Sequence, residues 1–343
     1  MASSVVGVDI GTDSIRAVEV TGVGRKPVVV RSLDFALPTG AVRSGEVAEV
    51  NTVAESLKQL WSTAKFKSKD VILGVGSPKV LVRDLTVPKL APRELRASLP
   101  AYVQDMLPVP IADALLDFYP TSEGTSDNGP VVNGLLVAAV KESVLANVTA
   151  AQKAGLSVVG VDLIPFAMTR LHKYAGNVAF VDVGARTTNV VVVSNGVPQF
   201  VRIIATGGFD LTQALASRLE ISTGQAEQLK LSLGLGTVGV APENLPAVQI
   251  IREVTAELLN SLRNTLAYFA NTRQNETYTG VVLSGGGANL AGFAEALSEI
   301  TRIQVAIADP FTLVAAPKDL QSTAVRDRQT FNVALGLALG GAA

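Results

Sequence analysis

The chain carries one motif twice, and that duplication restricts the possible folds more than any other feature. Residues 5–9 lead into Ile10-Gly11-Thr12-Asp13-Ser14, and residues 178–182 lead into Val183-Gly184-Ala185-Arg186-Thr187-Thr188. Each copy is a β-branched run ending in Asp-x-Gly, then small polar residues, then a second apolar run at 15–20 or 190–193. That pattern reads as a hairpin whose tight turn needs glycine and whose first strand delivers a carboxylate at its end. Phosphate oxygens require backbone N–H donors that approach closely, which small and Gly-rich turns supply. The candidates are Gly11, Thr12, Asp13 and Ser14 on one side, and Gly184, Ala185, Arg186, Thr187 and Thr188 on the other. A divalent ion on phosphates takes carboxylate oxygens, usually through water, so Asp9 and Asp182 are the candidate catalytic and metal-binding pair. Arg16, in the strand after the first turn, is placed to reach back toward the same phosphates.

One such turn is an ordinary hairpin. Two of them, followed by Leu283-Ser284-Gly285-Gly286-Gly287-Ala288-Asn289, predict a nucleotide clamped between two similar domains. Gly285, Gly286 and Gly287 let a flat ring or a sugar approach the backbone at a helix start. Glu227 and Lys230, three residues apart on a predicted helix over 225–233, are candidates for ribose contact; the same spacing suits a solvated intrahelical pair.

Composition excludes several classes. At 343 residues the chain is long enough for two domains. Its 48% hydrophobic and 17% charged residues suit parallel strands buried on both faces. A net charge of −1 gives no electrostatic case for nucleic acid. Zero cysteines exclude thiol catalysis, disulfides and Cys-based zinc sites, and the single histidine, His172, reads as a surface residue rather than a metal ligand. The chain opens on a strand by Val5 with no basic and apolar leader, and no apolar run reaches the roughly 18–20 residues that span a bilayer, so a cytoplasmic location is expected.

Along the chain, 47–65 reads as an amphipathic helix with Trp61 as a core anchor, and 70–76 and 80–87 as strands. A helix over 91–107 carries Pro100, strands at 115–119 and 131–140 flank a polar tip at 124–130, and a helix over 141–154 ends at Gly155 before a strand at 156–163. This block, about 82–162, reads as a small inserted subdomain. In the second half, 248–272 is a long helix with one apolar stripe, 289–300 a helix, and 323–339 a closing helix.

The two Asp-x-Gly turns, the stretch from Thr206 to Lys230 and Leu283-Ser284-Gly285-Gly286-Gly287-Ala288 resemble the actin/hexokinase/heat-shock-chaperone ATPase superfamily. Gly7-Val8-Asp9-Ile10-Gly11 with Arg16, Val181-Asp182-Val183-Gly184-Ala185 with Thr188, and Asp309-Pro310-Phe311 look closest to the PilM family of its FtsA-like branch. The resemblance covers essentially the whole chain. It implies an α/β actin-like ATPase fold, with two RNase H-like domains flanking a nucleotide cleft. Domain I is expected at 1–176 plus 323–343, with an FtsA-type 1C insert at 82–162. Domain II is expected at 177–322, with a helical inset at 208–277. It implies ATP and Mg²⁺ as ligands. Asp9, Gly11, Thr12, Asp13, Ser14 and Arg16 match the first phosphate motif, Asp182, Gly184, Arg186, Thr187 and Thr188 the second. Gly285, Gly286 and Gly287 match the adenosine motif, bordered by Glu227 and Lys230. It also implies a partner, the cytoplasmic N-terminal tail of the inner-membrane protein PilN, held in a groove involving the 1C subdomain.

Ile164 stands before Pro165 where relatives often carry Glu, a residue able to orient an attacking water. Asp162 is the nearest substitute, but alternation along its strand can also point it elsewhere, so the expectation is slow ATP hydrolysis at most, or nucleotide binding used as a conformational signal. Two other readings compete. An FtsA-like filament protein ends in an amphipathic membrane helix after a linker, and this chain stops at Ala343 after its closing helix. A hexokinase-like kinase needs a catalytic carboxylate facing a substrate pocket, for which the sequence shows no motif.

Overall fold

In the computed structural model, which describes residues 4–171, 175–236, 239–272, 277–311, 314–322 and 324–340, the duplicated hairpins form the centres of two matching sheets. The chain starts with β1 (Ser4–Ile10), β2 (Ser14–Thr21) and β3 (Val28–Ala36), then a two-residue ladder, β4 (Val42–Arg43) and β5 (Glu46–Val47). Helix α1 (Val50–Ala64) leads to β6 (Asp70–Val75). β7 (Leu81–Pro88), α2 (Pro92–Val103), β8 (Ala114–Ser126) and β9 (Gly129–Val140) follow, then α3 (Lys141–Lys153), β10 (Ser157–Leu163) and α4 (Ile164–Thr169). The second half holds β11 (Asn177–Val183), β12 (Thr188–Ser194), β13 (Val197–Ile204), α5 (Gly208–Arg218), α6 (Thr223–Leu233), α7 (Leu245–Thr272) and β14 (Tyr278–Ser284). It closes with α8 (Phe293–Thr301), β15 (Val305–Ile307), α9 (Lys318–Ser322), α10 (Val325–Arg328) and α11 (Asn332–Leu339).

The first sheet has strand order β3-β2-β1-β6-β10 and the second β13-β12-β11-β14-β15. Each is three antiparallel strands continued by two parallel ones, so β1 and β11 occupy the same central place. Both central strands are buried along most of their length, which is why the motif is valine-rich rather than alternating. β12 shows the reason most plainly: Val190 and Val192 face the core under α5 and α7, while Val191 and Val193 face a second core.

That second core joins the domains. Ile72, Val75 and Leu163 enter it from the first sheet, Val178, Phe180 and Val282 from the second, with Ala167 and Met168 of α4 and Val333 and Leu337 of α11 between them. Helix α11 lies so close to β1 that a Cβ on Gly7 would stand 1.9 Å from the Ala334 carbonyl oxygen. A Cβ on Gly336 would stand 2.0 Å from the Ala167 carbonyl oxygen, so α11 meets α4 at backbone distance as well.

Several boundaries differ from the sequence reading. The separate three-stranded sheet, order β7-β9-β8, is covered by α2 and spans only 81–140, whereas the sequence suggested 82–162. β10 pairs in parallel with β6, and α3 packs on α1 through Ala150 and Ala151, so both belong to the first domain. Periodicity marks a segment as strand or helix and does not name its neighbour. The polar tip is also shorter: β8 and β9 pair out to Ser126 and Gly129, because backbone pairing tolerates side chains exposed on both faces. The helix expected over 91–107 ends at Val103 with Pro100 inside it, and that over 289–300 begins at Phe293, after Gly292 with φ 87°. The closing helix is broken into α10, a 3-10 turn over Gln329–Phe331, and α11. Thr323, where that helix was expected to begin, and His172 lie outside the described residues. The helices α5, α6 and α7 fill the region expected for the helical inset and pack on one face of the second sheet.

Backbone-distance packing of α11 gives a stability test. Gly7→Ala and Gly336→Ala are each expected to destabilise by about 3 kcal/mol or more, the upper range of overpacking, because backbone must move. Gly224→Ala on exposed α6, where a Cβ meets no atom within 4 Å, is expected to be neutral or to stabilise by up to about 1 kcal/mol. Urea unfolding midpoints of the three variants measure this.

Candidate functional site

The two motif turns have the same geometry. Gly11 N–H donates to the Ser14 carbonyl at 3.0 Å, and Gly184 N–H donates to the Thr187 carbonyl at 2.9 Å. The second turn is tied further to the start of α5, where Gly208 N–H donates to the Gly184 carbonyl at 2.9 Å and Phe209 N–H to the Ala185 carbonyl at 2.8 Å. Gly207 is required there, since a Cβ would stand 2.5 Å from the Gly184 carbonyl oxygen. The turns line opposite walls of one cleft of about 270 Å³, which also takes Asp9, Arg16, Asp182, Glu227, Lys230 and the triple glycine. Sites for small molecules run from roughly 300 Å³ upward, so the space approaches ligand size.

Asp9 is 8% exposed, and burial pushes its carboxyl up to about 6. Arg16, 3.8 Å away, pulls it down, and the charges of Asp182 and Asp34 push it up again. Burial likewise raises Asp182, opposed by the Ser284 hydroxyl, which donates to its Oδ1 at 2.9 Å, and by Arg16. Arg16 is itself held by Asp34 of β3 at 3.0 Å. The two acids occupy matched places in register: Asp9 pairs across the hairpin with Arg16, Asp182 with Asn189. Asn189 is buried, lines the cleft, and its Oδ1 has no hydrogen-bond partner among the described residues. Asp13, on the first turn, is also raised by burial, and next most strongly lowered by Arg186 of the opposite turn, which places those two groups across the cleft from each other.

Arg186 is steadied on its own wall. Its guanidinium lies 4.0 Å from the centre of the Phe209 ring, donates to Gln213 at 3.2 Å and sits 3.7 Å from Asp210. Glu227 and Lys230 form an ion pair at 2.8 Å and meet at Thr212: its hydroxyl donates to Glu227 at 2.5 Å and accepts from Lys230 at 2.9 Å, while Lys230 also donates to the Gly208 carbonyl. Thr212 thus ties the pair to the cleft wall, with Lys230 largely covered and the Glu227 side chain 42% exposed.

The three glycines have different jobs. Gly285 has φ 89° and a Cβ there would stand 2.4 Å from the Val183 carbonyl oxygen; one on Gly287 would stand 2.5 Å from Val183 Cγ1. Both are demanded by packing against the end of β11. Gly286 has no atom within 4 Å of its Cβ position and is exposed to the cleft, so it alone presents bare backbone to a ligand. Thr188 is a correction. It is fully buried, does not line the cleft, and its hydroxyl donates to the Thr206 carbonyl at 2.7 Å, because alternation in β12 turns it inward. Asp162 also points elsewhere, paired with Arg170, whereas Ile164 fills the space left by Gly74 and Gly76 on the cleft floor.

Sequence reasoning missed four lining or supporting residues: Asn189, Thr255, Phe209 and Gln329. Thr255 is buried at the apolar end with Leu258, Leu290 and Phe293, its hydroxyl without a hydrogen-bond partner among the described residues. Gln329 is fully buried and crosses from the C-terminal segment to donate to the Gly285 carbonyl at 2.9 Å and to Asn289 Oδ1 at 3.2 Å. A buried polar residue within an otherwise apolar helical pattern is the only signal that pointed to any of them.

Among curated proteins, the cell division protein FtsA of Bacillus subtilis is 21% identical, over 89% of this chain and 78% of FtsA. FtsA of Pseudomonas aeruginosa is 24% identical over 90% and 84%. Among solved structures, a chain of a PilM–PilN type IV pilus biogenesis complex superposes with a TM-score of 0.88 at 28% identity, covering both chains fully. MreB5 of Spiroplasma citri bound to ADP gives 0.57 at 12% identity, covering 97% of this chain and 94% of MreB5, a likeness of fold alone. The two sheets and their cleft are thus an actin-like ATPase fold. The family model for the type IV pilus assembly protein PilM matches residues 7–342, and this chain belongs to that family.

Proposed function

We propose that the cleft binds ATP with Mg²⁺, and that its nucleotide state tunes how this pilus assembly protein holds the cytoplasmic tail of a PilN-like inner-membrane protein. The observation that carries the nucleotide reading is the pair of matched turns facing each other, each with a desolvated carboxylate behind it. The residues fit the ligand. Asn189 Oδ1 and Thr255 Oγ1 are buried acceptors without partners among the described residues, and Gly286 offers bare backbone. Bound Mg²⁺ would neutralise phosphate charge. Asp9 and Asp182 would hold the cation, through water; the N–H groups of the two turns would face phosphates, and Gly286 with Glu227 and Lys230 would border the nucleoside. Ile164 on the floor and Asp162 turned toward Arg170 leave that side of the cleft without a water-orienting carboxylate, which favours slow turnover and a signalling role for the nucleotide.

The family match and the likeness to a PilM–PilN complex support the partner, and with it attachment at the inner face of the cytoplasmic membrane. The three-stranded insert is the proposed grip. Tyr102 and Leu115 are exposed there, at 41% and 40%. In calorimetry with a synthetic PilN-tail peptide, Tyr102→Asp and Leu115→Asp together are expected to weaken binding about tenfold or more while leaving ATP affinity unchanged. Unaltered peptide affinity in the double variant would place the partner elsewhere.

Asp9 gives a second test. The folded, nucleotide-free protein favours its neutral form, so ionising it costs stability. That cost is absent below its ordinary value of 3.8, grows as pH rises and is fully present above about 6, reaching about 3 kcal/mol. Asp9→Asn is therefore expected to raise the unfolding midpoint of the nucleotide-free protein at about pH 7.5, a gain that shrinks toward about pH 5. The same substitution is expected to lower Mg²⁺·ATP affinity about tenfold or more, and the native affinity is expected to fall as pH drops through 6. Mg²⁺·ATP binding that is indifferent to both changes would refute the metal role of Asp9.

A further inference from the structure

The end of the first sheet that points away from the cleft gathers positive charge. β1 begins there with Ser4 paired to Thr21, and the turn 22–27 joins β2 to β3. The loops before the parallel strands β6 and β10 arrive at the same end. Hydrogen bonds fix these segments as one floor. The Ser68 hydroxyl donates to the Ser4 carbonyl at 2.8 Å, Ser157 N–H to the Lys69 carbonyl at 2.8 Å, and the Trp61 indole N–H to the Ser68 carbonyl at 2.9 Å.

From that floor Arg25, Lys26, Lys65, Lys67 and Lys69 project, all exposed. None of them has an ion-pair partner among the described residues; the neighbouring pairs are Arg31 with Glu19 and Lys58 with Glu55. Glu19 offsets nothing outside, because it is buried and accepts from the Ser4 hydroxyl, Lys67 and Ser68 N–H groups and Arg31. Asp70 is the one exposed carboxylate within these segments. Five cations against one acid, in a chain of net charge −1, is a local excess. Strand spacing spreads it over about 14 Å of sheet edge, from β6 to β3.

The shape selects the partner. None of the five residues lines the cleft or the shallow depression beside α1. The local aromatics are not available to stack bases: Phe66 is buried, and Trp61 packs on it at 5.0 Å with its N–H already used. What remains is a broad, lysine-rich edge matched to a broad negative surface. We propose that this edge docks on a bilayer rich in anionic phospholipid, with the cleft, at the far ends of β1 and β6, directed away from the membrane. This inference is independent of the nucleotide and PilN-tail readings.

The test is co-sedimentation of the full chain with large vesicles, either pure phosphatidylcholine or phosphatidylcholine mixed with phosphatidylglycerol. Pelleting is expected only with the anionic vesicles, and is expected to vanish in about 0.5 M NaCl, where screening shortens to roughly 4 Å. Each cation removed is expected to lower partitioning about fivefold. Lys65→Gln, Lys67→Gln and Lys69→Gln combined are therefore expected to lower it by roughly two orders of magnitude, whereas the same positions changed to Arg retain it. Unchanged thermal unfolding of both triple variants shows that they are folded. No pelleting with anionic vesicles, equal pelleting with neutral ones, or full retention by the Gln variant each overturns the proposal. So does capture of duplex DNA or polyglutamate without vesicle binding, which would assign the edge to an acidic polymer.

Discussion

Two carboxylates largely withdrawn from water, each at the end of the central strand of its sheet, set the terms for everything else in the cleft. Asp9 and Asp182 are both held toward their neutral forms by burial, and Arg16 is the main opposing charge they share. Burying two such carboxylates costs stability unless neighbouring donors and charges compensate them. The fold tolerates it because neither acid stands alone: Asp34 anchors Arg16, and the Ser284 hydroxyl anchors Asp182. Asn189, at the position matched to Arg16, is a further buried polar group there, and its Oδ1 has no hydrogen-bond partner among the described residues.

The cleft walls are joined at the floor. α4 and α11 are wedged between the sheets, and Gly7 and Gly336 bring α11 to backbone distance of β1 and α4. Through Gln329 the C-terminal segment also holds the Gly285 carbonyl, so the loop that presents Gly286 is tied to the helix packed under β1. Relative movement of the walls has to shear this packed core, which resists continuous deformation. A ligand seated between the turns and the triple glycine therefore bears on the same helices that position the first sheet. The insert follows suit, since its inner face packs toward β13 and Tyr119 meets Phe166 of α4 at 4.9 Å. Floor and insert share one packed core beneath the cleft, and the basic edge lies at the opposite end of the same strands.

Much of this was legible in the residues alone. The duplicated hairpins, their carboxylates and the glycine triplet were readable because a tight turn and a close backbone approach restrict residue type locally, wherever the segment sits in the fold. The cleft does collect Asp9, Gly11, Thr12, Asp13, Ser14, Arg16, Asp182, Gly184, Arg186, Thr187, Glu227, Lys230 and all three glycines. Alternation along a strand fixes two faces without saying which is inside, so Thr188 was read as a cleft residue and the direction of Asp162 stayed open. Only the neighbours, Thr206 for one and Arg170 for the other, decide it.

What the sequence determined by itself was the set of local devices: two acid-tipped hairpins, a glycine loop, strands buried on both faces and the composition to cover them. Tertiary structure decided how they are shared out. It assigned β10 to the first sheet, made Gly286 the one bare glycine of the triplet, turned Ile164 into the floor, and sent Gln329 across from the C-terminal segment to the glycine loop. The reason is physical. Turn chemistry and hydrophobic period act over a few residues, whereas pairing partners, desolvation and unfilled hydrogen bonds are set by groups brought together from distant parts of the chain.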